Sequence, residues 1–266
     1  SCHPKSIENG DHSFAGLHVL LAEDNRINQK VARLQLEQLG ITDIRIAENG
    51  AAAVAEVARA RPDILLLDVQ MPGMDGLEAT ERIRSAETRE GSPRLPIIAL
   101  TANAMTGDRE NCLAAGMDGY ISKPLRTSEV RDAMVYCLPA VATGKPKCPT
   151  PNPADEQPLP RMINPETFAE MQELIGADCK AFYLEALGEI NNQLPTIRTA
   201  HDAEDYPTLI AAAHSLKGAS ANLGLEPLAA AANTVEEAAR KDRCADLDQL
   251  TRVAADTVEA IRQAFS

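Results

Sequence analysis

Apolar and polar positions divide the chain into two stretches of different period. Short apolar runs near 18–22, 43–47, 63–67, 95–100 and 118–122 are each followed by a stretch with helical spacing. Five such units predict an α/β fold, a doubly wound five-stranded parallel sheet with helices on both faces. Later the pattern becomes helical throughout. Tyr183, Leu187, Ile190, Leu194 and Ile197 form one stripe, and Leu209, Ala213, Leu216, Ser220 and Leu223 a second. Leu225, Leu228, Ala232, Val235 and Ala239 follow, then Leu247, Leu250, Ala254, Ile261 and Phe265. Such stripes predict an all-α region, an antiparallel four-helix bundle, with 165–175 as an extra leading helix.

Between these regions lie Pro139, Pro146, Pro149, Pro151, Pro153, Pro158, Pro160 and Pro165 among small polar residues. That composition favours an extended linker over a packed element. The expected organisation is a first domain at 16–138, a linker at 139–163 and a second domain at 164–266.

Composition narrows the function. The net charge of -13 over 266 residues argues against a nucleic-acid surface, which needs clustered Lys and Arg. Neither half is basic: residues 1–160 carry 17 Lys/Arg against 22 Asp/Glu, and residues 161–266 carry 9 against 17. The six cysteines are scattered without a close pair for zinc or redox chemistry. No apolar run approaches membrane-spanning length and no signal peptide is visible. The expectation is a cytoplasmic piece without membrane contact of its own, compatible with a parent anchored in the inner membrane. Ser1 at the start, with no Met, reads as an excised fragment.

In a doubly wound sheet the functional crevice lies at the carboxyl ends of the strands. Glu23 and Asp24 follow the first apolar run and Asp68 the third, so carboxylates converge there. Their mutual repulsion calls for a cation, and oxygen-only ligands favour Mg2+. Thr101 follows the fourth run and Lys123 the fifth, adding a hydroxyl donor and an ammonium. This set suits phosphoryl transfer to the Asp68 carboxylate.

Glu23-Asp24-Asn25, Asp68-Val69-Gln70-Met71-Pro72-Gly73-Met74-Asp75-Gly76, Thr101-Ala102 and Lys123-Pro124 together resemble the CheY-like, flavodoxin-like receiver domain of two-component signalling. The resemblance implies that Gln70 lends a backbone carbonyl to the metal and that Lys123-Pro124 is a cis peptide. It further implies that Thr101 and Tyr120 move together on phosphorylation, and that the small Ala102 leaves the acceptor open to partners.

In the helical region, His214 has Lys217 and Gly218 three and four residues on, all on one helix face. That face is not the apolar stripe, so His214 is expected to be exposed. Gly218 costs about 1 kcal/mol of helix propensity relative to Ala, which close approach of a partner backbone explains. A neutral imidazole is a competent nucleophile toward an acyl phosphate, and Lys217 can screen the phosphohistidine charge. Ala213-His214-Ser215-Leu216-Lys217-Gly218 and Asn222-Leu223-Gly224 resemble the histidine phosphotransfer (HPt) family.

Jointly the resemblance is to the C-terminal part of a hybrid sensor histidine kinase. It implies an upstream histidine kinase domain as donor, in the same polypeptide or its dimer mate, and a downstream response regulator receiver as acceptor. No Gly-rich phosphate loop is visible, so phosphorylation from ATP is not expected of this chain. An alternative reading makes the receiver a docking or inhibitory module that controls access to His214 or binds an effector.

Overall fold

The computed structural model describes residues 14–101, 106–138, 162–243 and 245–265. Ala102 and all but the last two positions of the expected linker lie outside the described residues.

The first region alternates β1 (His18–Ala22), α1 (Arg26–Gln38), β2 (Asp43–Ala47), α2 (Gly50–Arg59), β3 (Ile64–Asp68), α3 (Gly76–Glu90), β4 (Ile97–Thr101), α4 (Thr106–Ala115), β5 (Gly119–Ser122) and α5 (Thr127–Cys137). All pairings are parallel, in the order β2-β1-β3-β4-β5. Strand residues point alternately to the two faces. Val19, Leu21, Leu66 and Leu100 pack toward Ala32, Leu36 and Met134, whereas Leu20, Leu65, Leu67 and Ala99 pack toward Ala53, Ala79 and Ile83. Both faces are therefore dry, as the unbroken apolar run Ile64 to Leu67 requires.

The fourth strand begins at Ile97, later than the apolar run suggests. Pro96 has no N–H to give a ladder, although its carbonyl accepts the Leu65 N–H at 3.0 Å. Thr101 is accordingly the last residue of β4, and Asp68 the last of β3.

The second region contains α6 (Pro165–Ile175), a short 3-10 turn (Gly176–Asp178), α7 (Cys179–Asp202), α8 (Tyr206–Asn222), α9 (Glu226–Ala239) and α10 (Leu247–Ala264). The side chains of Asn164, Asp205 and Asp246 cap α6, α8 and α10. Helices α7 to α10 close a four-helix bundle, α7 packing on α8, α8 on α9, α9 on α10 and α10 back on α7. Tyr183, Leu209, Leu216, Leu228 and Ile261 fill its core. Among the described residues, no helix is long and apolar enough to cross a membrane.

The two regions share a core. Ile27 and Val31 of α1 are buried among the bundle's apolar residues, and α1 packs on α6 and α8.

Candidate functional site

The sheet register builds the first half of the site. Ala22 pairs with Leu67, so the residues that follow, Glu23 and Asp68, come side by side where the strand order reverses. Thr101 pairs with Ser122, so Lys123 emerges next to it, and the Lys123 N–H donates to the Thr101 carbonyl at 2.7 Å. Glu23, Asp68, Thr101 and Lys123 are all buried. The Lys123-Pro124 peptide is cis. Its side chain reaches back into the crevice, Nζ lying 2.7 Å from both Glu23 Oε2 and Asp68 Oδ2.

Close backbone packing holds Asp68 in place. A Cβ at Gly76 would collide with the Asp68 carbonyl, so only glycine lets the start of α3 pass beneath the acceptor. The Gln70 N–H donates to Asp68 Oδ1 at 3.1 Å, which turns the following loop toward the crevice.

Carboxylate oxygens of Glu23, Asp24 and Asp68 lie within 4.8 Å of one another. Burial, and after it the charge of Glu23, lifts the Asp24 carboxyl to about 6. Burial also raises Asp68 above the usual carboxylate range against the opposing charge of Lys123, with Glu23 adding to the rise. Burial alone would lower the Lys123 ammonium, but Asp68 and Glu23 hold it above its ordinary value. Three carboxylates crowded this closely are a fitting oxygen cage for a hard divalent cation.

Tyr120 on β5 is half-buried, with the Arg109 guanidinium carbon 5.5 Å from its ring centroid. It packs toward the Leu67 and Ala99 side of the sheet.

The second half of the site differs from the sequence expectation. His214 is not exposed: it retains 6% of its accessible surface, and its Nε2 is buried without a hydrogen-bond partner. The reading of helix faces treats each domain alone, whereas here the receiver-like domain covers the face that His214 occupies. A Cβ built on Gly218 would stand 3.1 Å from Asn28 Nδ2 and 3.9 Å from Lys123 Nζ. The partner whose closeness Gly218 permits is thus the other domain of the same chain.

Polar contacts join the domains around this point and at its rim. Asn25, which caps α1, donates through Nδ2 to Ser215 Oγ at 2.8 Å. Asn222 accepts from the Leu125 N–H at 3.1 Å and donates to Asn28 Oδ1 at 2.8 Å. At the rim Lys30 pairs with Glu185 at 2.5 Å, and Arg240 donates to the Gln70 side chain at 3.0 Å.

Behind His214 stands Glu236 of α9, which the sequence reading missed. Its Oε1 lies 3.2 Å from His214 Nδ1 and 2.7 Å from Arg240 Nη2, and its Oε2 lies 2.7 Å from Lys217 Nζ. Burial would raise this carboxyl, but the hydrogen bond to His214 and those from Lys217 and Arg240 hold it well below its usual value. An ionised carboxylate can only accept, so Nδ1 carries the imidazole proton and Nε2 keeps its lone pair. Burial lowers the His214 pKa in spite of Glu236, which keeps the ring neutral near pH 7. Lys217 is held by Glu236 and by Asn233 Oδ1, the latter at 3.1 Å. The one signal in the sequence was an acidic residue four positions after Ala232 of an apolar stripe.

Of the other histidines, His18 sits exposed beside Asp43 and Asp63, and His201 bonds to the Ala245 carbonyl at 2.9 Å. His3 and His12 lie outside the described residues.

Comparison with known proteins divides the chain in the same way. Residues 19–135 match the response regulator receiver domain family, and residues 182–264 match the Hpt domain family. The sensor protein GacS of Pseudomonas syringae pv. syringae is 33% identical over 82% of this chain and 24% of its own length. The sensor histidine kinase AruS of Pseudomonas aeruginosa is 34% identical over 95% of this chain, again 24% of its own length. The chain thus spans about a quarter of these curated relatives. Among solved structures, the receiver domain of the sensor histidine kinase PA1611 from Pseudomonas aeruginosa, described with a magnesium ion in its active site cleft, is 45% identical. It covers 45% of this chain and 96% of that one, with a TM-score of 0.41.

Proposed function

The chain belongs to the two-component phosphorelay proteins, as the receiver and Hpt region of a hybrid sensor histidine kinase, and from this premise we propose that Asp68 and His214 exchange a phosphoryl group within one chain. The observation that carries the proposal is the closed stack over Lys123. Its ammonium is bonded to Asp68, and a Cβ built on Gly218, one helical turn beyond His214, would stand 3.9 Å from that ammonium.

Phosphate arrives from a phosphohistidine of an upstream kinase domain. A carboxylate oxygen of Asp68 attacks phosphorus, the phosphorus–nitrogen bond breaks, and the donor imidazole leaves. Lys123 neutralises charge on the transferring oxygens, and Thr101 stands at the end of β4 to donate a hydrogen bond. Glu23, Asp24, Asp68 and the Gln70 carbonyl would hold a magnesium ion, which would supply further neutralisation when bound. Tyr120 follows Thr101 when the acyl phosphate forms.

In the second transfer the His214 Nε2 lone pair attacks the acyl phosphate, and the phosphorus–oxygen bond breaks to regenerate the Asp68 carboxylate. Glu236 accepts the Nδ1 proton's hydrogen bond and stabilises the positive charge that the ring develops. Lys217 holds Glu236 in position. Phosphate then leaves to a downstream response regulator receiver. The functional limits that fit this reading are 16–138 for the receiver and 164–266 for the phosphotransfer domain, joined by 139–163.

Labelling from an upstream kinase domain tests this reading. Wild type should carry acid-labile label at His214, and Asp68→Asn should carry none. A second reading, in which the receiver chiefly occludes His214, is favoured by the burial of Nε2. Under it, Asp68→Asn leaves His214 open to labelling or unlabelled in both forms.

A further inference from the structure

Asn222, the last residue of α8, is 2% exposed, and both of its side-chain hydrogen bonds leave its own domain. Its Oδ1 accepts the Leu125 N–H at 3.1 Å and its Nδ2 donates to Asn28 Oδ1 at 2.8 Å. Asn28, also 2% exposed, passes the chain on, donating through Nδ2 to Glu23 Oε1 at 2.8 Å.

The two ends give this chain a single direction. A backbone N–H can only donate, and the Glu23 carboxylate, already bonded to the Lys123 ammonium, accepts. Turning over either amide would break two hydrogen bonds at once. Buried amides are costly unless both ends are satisfied, and here the satisfying groups come from opposite domains. Leu125 and Asn28 are also separated by most of the receiver sequence. Asn222 therefore reads a pair of groups that the fold alone brings together.

We propose that Asn28 and Asn222 are the partner-reading contact by which this receiver recognises its own phosphotransfer domain and sets His214 in register over Asp68. The inference rests on the phosphorelay reading. Both are positioning residues, since neither is a phosphoryl acceptor. A phosphotransfer domain without an amide at the place of Asn222 would leave the Leu125 N–H and Asn28 Oδ1 unsatisfied. A receiver without one at Asn28 would strand Asn222 Nδ2. Either mismatch disfavours docking by about tenfold or more.

The test uses the full chain with radiolabelled acetyl phosphate and Mg2+. The acyl phosphate loads Asp68 with release of acetate, and label moving to His214 is separated by its different acid and alkali stability. Asn222→Ala and Asn28→Ala should each slow transfer from Asp68 to His214 about tenfold or more. The double variant should be no more than about twofold slower than the slower single variant, because the residues share one bond. In Asn222→Ala, loading of Asp68 should be as fast as in wild type or faster, and the Leu125 amide should exchange with solvent faster. Transfer in Asn222→Ala within about twofold of wild type overturns the proposal, as does loading that falls in proportion to transfer. A wild-type chain that loads Asp68 and never labels His214 overturns the relay reading and this inference with it.

Discussion

The Glu236 carboxylate accepts a hydrogen bond from His214 Nδ1 at 3.2 Å, which leaves Nε2 as the one ring nitrogen with a lone pair for phosphorus. Substitution should separate this role from packing. Glu236→Ala frees the tautomer and should slow transfer to His214 by about tenfold, near 1.4 kcal/mol of lost hydrogen bonding. Glu236→Gln keeps an acceptor oxygen and should recover part of that loss. Single-turnover transfer with preloaded Asp68 checks both, and equal rates in all three chains would refute the role.

The pH dependence follows from the same pair. Imidazolium has no lone pair, so transfer falls as His214 protonates. Burial depresses its pKa while Glu236 opposes, and the charges of Lys123 and Lys217 depress it further. The rate should therefore stay level as pH drops from about 8 to the ordinary histidine value near 6.5, and decline only below it. Half-loss of rate at or above pH 7 would show the opposite shift.

Gly218→Ala should divide stability from function. In a helix interior the change is worth about 1 kcal/mol in favour of Ala. The new methyl carbon would nevertheless stand 3.1 Å from Asn28 Nδ2, tighter than ordinary contact. The expected result is a melting temperature at or above wild type together with slower transfer to His214. Unchanged transfer would remove docking as the reason for glycine at this place.

Much of the first domain was legible because strand periodicity and strand ends are local properties. Asp68, Thr101 and Lys123 could be placed in one crevice from the apolar runs that precede them. The second half was harder to read. Ile27 and Val31 look like an ordinary core stripe of α1, and only the folded chain shows them packed into the bundle. Glu236 meets His214 across two helices, so no spacing along the sequence connects them. Asn28 and Asn222 acquire meaning only through each other, from opposite domains.

Val31→Asp should open the docked pair. Val31 retains 1% of its surface, and a carboxylate there would be desolvated against apolar side chains. Transfer from Asp68 to His214 should fall by about a hundredfold while acetyl phosphate still loads Asp68. Loss of loading as well would point to a damaged receiver fold.

Metal removal bears on the acidic cluster. With Glu23, Asp24 and Asp68 oxygens within 4.8 Å, phosphoryl oxygens approaching Asp68 meet strong repulsion without a cation. Chelation of Mg2+ should abolish labelling of Asp68, and restored Mg2+ should recover it. Labelling that persists in chelator would exclude the cluster as the metal site.

The most direct measurement follows label from Asp68 to His214 after rapid loading, at chain concentrations spread over about a hundredfold. Intrachain docking predicts a first-order transfer whose rate constant does not change with concentration, absent in His214→Gln. A rate proportional to concentration, or label that stays on Asp68 until it hydrolyses, would contradict transfer within one chain.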